Sequence, residues 1–302
     1  MRWLHWLKSL VSDPPPEVVF EVSASGIAWT QTRHPRPEWT PLPEGTLEIS
    51  PLENNIRNPA AFAAAVRAAA GEGEARGRRR AALILPDYCA RVTVLDFDSF
   101  PAEPEEQLQL VRFRIRRVVP FDVEHAFVAC YPQPRADGSK RVDVVAAVVN
   151  MDVASHYESP FRAAGLHCGF VTLSALAALS LSPAEEPFQA NPRVVAKLSG
   201  DTLAVSLLEE ARLRLFRCVQ LGGEELDEAT DVLATTLAYA EDELGGRAAA
   251  LQVCGLAPAR REWLARWREE FGLPVSGVRG RLGEPAPHNA GLYGYLESLE
   301  SA

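Results

Sequence analysis

Nothing in this chain approaches the run of roughly 20 apolar residues that a bilayer-spanning helix needs, and it has no excess of positive charge. Its 31 Lys and Arg stand against 40 Asp and Glu, giving a formal net charge of −9 and a pI near 5.3. Nucleic-acid binders carry a basic domain or stripe to meet phosphate, so this balance argues against a nucleic-acid partner at the scale of the whole chain. Cysteine is scarce as well: Cys89, Cys130, Cys168, Cys218 and Cys254 are odd in number, widely spaced and never form CxxC. That pattern suits reduced thiols in a cytosolic protein better than a disulfide framework or a zinc site. The motifs GxxxxGK[ST], HExxH and GxSxG are absent, which removes the enzyme classes built on them. The 6 histidines are scattered without ligand spacing, and no metal site is expected.

What is present is a chain of 302 residues, 47% hydrophobic and 24% charged, long enough for one bilobed unit or two domains with cores of their own. The most informative stretch is Val18 to Thr32, VVFEVSASGIAWTQT, where two β-rich segments meet at a small-residue turn and predict a hairpin. It has an echo. VVFEVSASGIAW lies without a gap over VVAKLSGDTLAV, Val194 to Val205, with Val18/Val194, Val19/Val195, Ser23/Ser199 and Ala28/Ala204 identical. Two readings stand: a chance match between Val- and Ala-rich strands, or a duplicated half-domain.

The first residues, MRWLHWLKSLV, place Trp3, Leu4, Leu7 and Leu10 on one helical face with Trp6 beside it. Pro14-Pro15-Pro16 stops that helix, which either packs on its own domain or docks on a membrane surface or partner. After the hairpin come β-like pieces at Trp39 and at Thr46 to Ile49. Asn58-Pro59 then caps the helix AAFAAAVRAAA, a polar loop GEGEARGRRR follows, and AALIL reads as a buried strand. The middle of the chain gives a strand at Val92 to Phe97 and a helix from Pro101 towards Pro120. Two further strands follow, Ala126 to Tyr131 and Val142 to Val149, and then a helix capped by Asp152.

On the middle helix Arg112, Arg114, Arg116 and Arg117 cluster. They form either a solvated face paired with Glu105 and Glu106 or a basic surface for an acidic partner segment. Further on, Glu224 to Leu244 predicts a long helix, and Asp227, Glu228 and Asp231 on it read as an exposed acidic face rather than a metal cluster. Trp263 and Trp267 mark a core face or a contact surface on a later helix.

The order ILPDYCARVTVLDF, a helix closing in RRVVPFD, the strand DVVAAVVN and a helix ending FRAAGL resembles the PilM family. These are the actin-like cytoplasmic proteins of type IV pilus machines, related to the cytoplasmic domains of type II secretion L-proteins. LRLFRCVQLGGEELDEA and PHNAGLYGYL extend the resemblance almost to the end of the chain. It implies an α/β, actin-like (ribonuclease H-like) two-lobed fold with an inserted small α/β subdomain. The expected division is 1–16 an amphipathic segment, 17–87 with 166–188 the first lobe, 88–165 the insert and 189–302 the second lobe.

The resemblance also explains the echo, because each lobe of such a fold carries a hairpin that clasps nucleotide phosphate. The residues at those positions depart from the family's Asp- and Gly-containing turns. Glu21 stands for the first aspartate, Ser23 for the glycine with Ser25 beside it, Lys197 for the second aspartate and Ser199 for its glycine. Lysine cannot ligate Mg²⁺. Gly222, Gly223 and Gly255 remain from the other glycine turns. A vestigial nucleotide site is therefore expected, with no resident cofactor and no hydrolysis, ATP with Mg²⁺ being the open alternative.

The expected role is a pseudo-ATPase adaptor that binds the cytoplasmic tail of a PilN-like membrane protein at the inner membrane, alongside other pilus or secretion platform proteins. Arg112, Arg116, Arg117, Pro120 and Phe121 are the candidate contacts. Rival readings are an ATP-binding switch or slow ATPase, and a membrane-surface protein acting through Trp3, Trp6 and Leu7.

Overall fold

The stretch VVFEVS forms β1 (Val18–Ser23) and GIAWTQ forms β2 (Gly26–Gln31), antiparallel with Ser23 opposite Gly26. The structure, a computed structural model, describes residues 15–71, 79–134, 140–182, 192–210 and 212–301, so the segment bearing Trp3, Trp6 and Leu7 lies outside the described residues. Every residue of β1 is buried, because helices cover both faces of its sheet. β3 (Glu38–Pro41) adds to β2. α1 (Pro59–Ala70) follows, its first turn closed by the Asn58 side chain accepting from the Ala61 amide with proline at the first helical position. β4 (Arg79–Leu85) then runs parallel to β1.

The chain next builds a small sheet of its own. β5 (Ala90–Phe97), α2 (Pro104–Ile115), β6 (Ala126–Pro134) and β7 (Val142–Asn150) give three antiparallel strands in the order β5-β7-β6. Val111 and Ile115 of α2 pack on Leu95, Val144, Ala146 and Val148, one face of that sheet. α3 (Met151–Ala163), β8 (Leu166–Leu173) and the short α4 (Ser174–Ala178) return the chain to the first lobe, whose sheet order is β3-β2-β1-β4-β8.

The second lobe repeats the plan. β9 (Arg193–Ser199), β10 (Thr202–Glu209) and β11 (Arg212–Gln220) are antiparallel neighbours, α5 (Glu225–Leu244) crosses over, and β12 (Ala250–Cys254) pairs parallel to β9. α6 (Glu262–Phe271), β13 (Val275–Gly277) and α7 (Ala290–Ser301) follow, and the sheet reads β11-β10-β9-β12-β13. Position for position this matches the first sheet, with β9–β10 in the place of β1–β2. The echo between Val18 and Val194 is a repeated structural unit.

Several boundaries differ from those expected. α3 belongs to the first lobe, because Val153, Tyr157 and Phe161 join Phe20 and Phe62 in its core. The Phe20 and Phe161 rings lie 5.0 Å apart, and the Tyr157 hydroxyl donates to buried Asn55 at 3.0 Å. The cap of α3 is Asn150, whose side chain accepts from the Asp152 amide, rather than Asp152 itself. α7 also leaves the expected second lobe. Leu292, Tyr295 and Leu296 pack on Val19, Ala28, Ala82 and Ile84, the face of the first sheet opposite α1 and α3.

α2 stops at Ile115 because the amides of Val118 and Val119 both turn back to its carbonyl. Val111 and Ile115 of this helix are buried, while Val118 just beyond it is 55% exposed. Thr46 to Ile49 forms a single bridge, Leu47 with Ile56, and no strand. Trp263 and Trp267 are core: their rings meet edge to face at 5.6 Å and the Trp267 Nε1 donates to Thr230 at 2.9 Å.

Candidate functional site

The two hairpins face each other where the lobes meet, and the residues at equivalent places in them carry opposite charge. Glu21 in β1 and Lys197 in β9 correspond in the repeat, and they are 1% and 3% exposed. A third charged group joins them. Asp87 follows Pro86 at the end of β4 and is also buried. Its Oδ2 receives Lys197 Nζ at 2.8 Å, and its Oδ1 accepts from the Ala175 amide at the start of α4 at 2.6 Å. Glu21 accepts from the Ser174 hydroxyl through one oxygen and from the Leu292 amide, at 2.7 Å, through the other. β1, β4, β9, α4 and α7 are thus tied through three side chains.

Burial raises the Glu21 carboxyl above its ordinary range, against the opposing pull of Lys197 and the hydrogen bond from Ser174. For Lys197 burial acts to lower the value, but the Asp87 and Glu21 carboxylates outweigh it and the ammonium is held above its ordinary value. Lys197 and Asp87 form a close, buried ion pair, the arrangement a low-dielectric interior tolerates. The space left between the hairpins is lined by Glu21, Ser23, Asp87, Ser174, Lys197, Ser199 and Asp201 and amounts to about 20 Å³. That is room for one water or so.

The other glycine and serine positions are used locally. The buried Ser23 hydroxyl donates to the Gly26 carbonyl at 3.2 Å and lies 3.2 Å from that of Ser25, within its own turn. Ser199 lines the cleft. The Gly222 amide is capped by the Glu228 carboxylate at 2.5 Å, and Gly223 is exposed. Gly255 ends β12 at φ +71, and a Cβ there would collide with the Leu198 carbonyl of β9, so this glycine serves close backbone packing.

The insert closes the arrangement from outside. Its second face, away from α2, turns toward both lobes: Val92 and Val149 pack on the first core, Val94 and Val145 on the second. Gln133 of β6 forms an amide-to-backbone pair with Leu213 of β11, donating to its carbonyl at 3.0 Å and accepting from its amide at 2.9 Å. Arg214 donates to Asp143 at 2.6 Å beside it.

The five candidate partner contacts differ in their surroundings. Arg112 is committed to the carbonyls of Val123 and Ala126 and holds the turn before β6 against α2. Phe121 packs on the insert's own core. Arg116, Arg117 and Pro120 are exposed just beyond the end of α2. Among the described residues neither Arg116 nor Arg117 has an ion pair, and Arg114 pairs with Asp96 at 3.4 Å rather than with Glu105 or Glu106. Among the described residues no group of histidine, cysteine, aspartate or glutamate side chains is placed to hold a metal.

No family model and no curated protein sequence matches the chain. Solved structures do. The chain superposes on a structure described as a PilM-PilN type IV pilus biogenesis complex with a TM-score of 0.77, at 16% identity over 94% of this chain and 98% of that one. The fold is actin-like.

A Bacteroides thetaiotaomicron protein with an actin-like ATPase fold matches with a TM-score of 0.53, 11% identity and coverage of 90% and 93%. The cytoplasmic domain of EpsL, an inner-membrane component of the Vibrio cholerae type II secretion system, matches at 0.50 with 16% identity and coverage of 94% and 93%. Residues of both hairpins line the cleft between the lobes. Asp87, which no motif flagged, completes the ion pair there. Its signal in the sequence is indirect: a lysine inside the apolar strand VVAKLS requires a buried acid, and LILPDYC supplies one.

Proposed function

We propose that this protein is a PilM-like scaffold of a type IV pilus or related secretion platform. It would act at the cytoplasmic face of the inner membrane by binding the cytoplasmic tail of a PilN-like membrane protein, without turning over ATP. The observation that carries the reading is the end-to-end likeness to the PilM-PilN structure, taken with a cleft in which Lys197 and Asp87 occupy each other and about 20 Å³ remains. Among the described residues no helix is long and apolar enough to cross a membrane, so membrane association would be through partners or the surface.

Two measurements on the full chain test this. A synthetic peptide with the sequence of a PilN-like protein's cytoplasmic tail is titrated by calorimetry, and saturable binding is expected; no binding at high micromolar concentration sinks the adaptor reading. A thermal-unfolding series in Mg-ATP is expected to leave the midpoint unchanged. A nucleotide at a hundred times its dissociation constant would add about 2.7 kcal/mol of stability. A clear rise that Lys197→Ala abolishes would instead favour an ATP-binding switch.

A further inference from the structure

The two five-stranded sheets and the insert's sheet expose edges of different kinds. β11 carries Arg212, Arg214 and Arg217 along its length, β3 and β13 are short, β8 is broken by a bulge at Gly169, and β5 is covered by β11. These are the usual defences of a sheet edge. β6 lacks them. It is the outer strand of its sheet, and Ala126 to Tyr131 contains no charged residue. Phe127 and Tyr131 stand 50% and 68% exposed on one face with exposed Ala129 between them.

Pro132 and Pro134 fall at alternate positions, as strand prolines do when the missing N–H would have pointed off the open edge. Val128 and Cys130, which share their parity, then point their amides and carbonyls outward. The Ala126 carbonyl, of the same parity, is already taken by Arg112 at 3.1 Å.

We infer that β6 pairs antiparallel with β6 of a second copy of this chain, about a two-fold axis through Ala129. In this register Val128 of each copy faces Cys130 of the other and the two exchange both backbone hydrogen bonds. Ala126 faces Pro132, so the carbonyl already occupied by Arg112 meets the residue that has no N–H to offer. Phe127 meets Tyr131 across the strands, the kind of aromatic pair that stabilises antiparallel neighbours. Charge agrees as well: Asp122 and Glu124, exposed just before β6, come toward the exposed Lys140 that precedes β7 of the other copy. The contact is isologous, closes as a dimer and leaves no edge of this sheet for further growth. It is independent of the adaptor reading.

The test is sedimentation velocity of the full chain over a wide concentration range. The wild type is expected to move from its monomer mass of 33.0 kDa toward twice that mass as concentration rises. Ala129→Lys and Ala129→Glu each set like charges face to face on the axis at an exposed position and are expected to remain monomeric with unchanged thermal midpoints. An equimolar mixture of the two is expected to regain the dimer, because the charges then attract. A wild type that stays monomeric at every concentration overturns the inference. So does a dimer that persists in either single variant, since it would then use another surface.

Discussion

Burying an ammonium costs several kcal/mol unless a carboxylate meets it at close range. Lys197 has that carboxylate in Asp87, at 2.8 Å. Lys197→Met leaves Asp87 buried with its charge uncompensated, and a loss of about 3–5 kcal/mol is expected in urea unfolding. Asp87→Asn in the same chain removes the stranded charge while its amide oxygen still accepts from Ala175, so the double variant should recover a large part of the loss. Simple addition of the two single losses would show that the residues do not act as a pair.

Glu21 gives a second expectation at this scale, concerning pH. Its carboxyl is raised above the ordinary 4.5, chiefly by burial. The native state therefore holds this proton more tightly than the unfolded chain. Its contribution is full below 4.5 and is lost as pH climbs through the raised folded value. Glu21→Gln, which fixes the neutral form, should flatten the fall in thermal midpoint as pH rises above 4.5. Equal slopes for the two proteins would refute the assignment.

At the scale of elements, α7 approaches α4 closely enough that a side chain at Gly294 would strike the Ala177 carbonyl, and one at Gly291 would meet Ser174. Gly294→Ala gains helix propensity, yet the obstacle is backbone, which does not yield as a flexible side chain would. A net loss of about 1–3 kcal/mol is expected from denaturant midpoints. The glycines were visible in NAGLYGYL, but nothing in that string says which helix they approach.

The same limit applied throughout. Periodicity and caps were local and legible: Asn58-Pro59 marked the start of α1, and the apolar run AALIL marked the buried part of β4. Where a helix docks was not, because an apolar face names no partner. That is why α3 fell outside the expected first lobe and α7 inside the expected second. The arginines at the end of α2 show the complementary failure, since Arg112 and Arg116 look alike in sequence although one is committed to backbone carbonyls and the other is exposed.

At the scale of the molecule, the repeat was legible because it is written twice, whereas the filled cleft was not, because it needs Asp87 and Lys197 to meet across 110 residues of chain. Together with Gln133–Leu213 and Arg214–Asp143 outside the cleft, that pair ties the lobes at two separate places. These contacts brace the lobes of the actin-like frame against one another.

The return of α7 to the first sheet also governs the order in which the protein can be made. β1 leaves the ribosome early, but the sheet face formed by Val19, Ala28, Ala82 and Ile84 stays bare until Leu292 and Leu296 have been synthesised. At about 5–20 residues per second, the nascent first lobe must wait for its last helix for some tens of seconds, with apolar surface open to chaperones or to a neighbouring nascent chain.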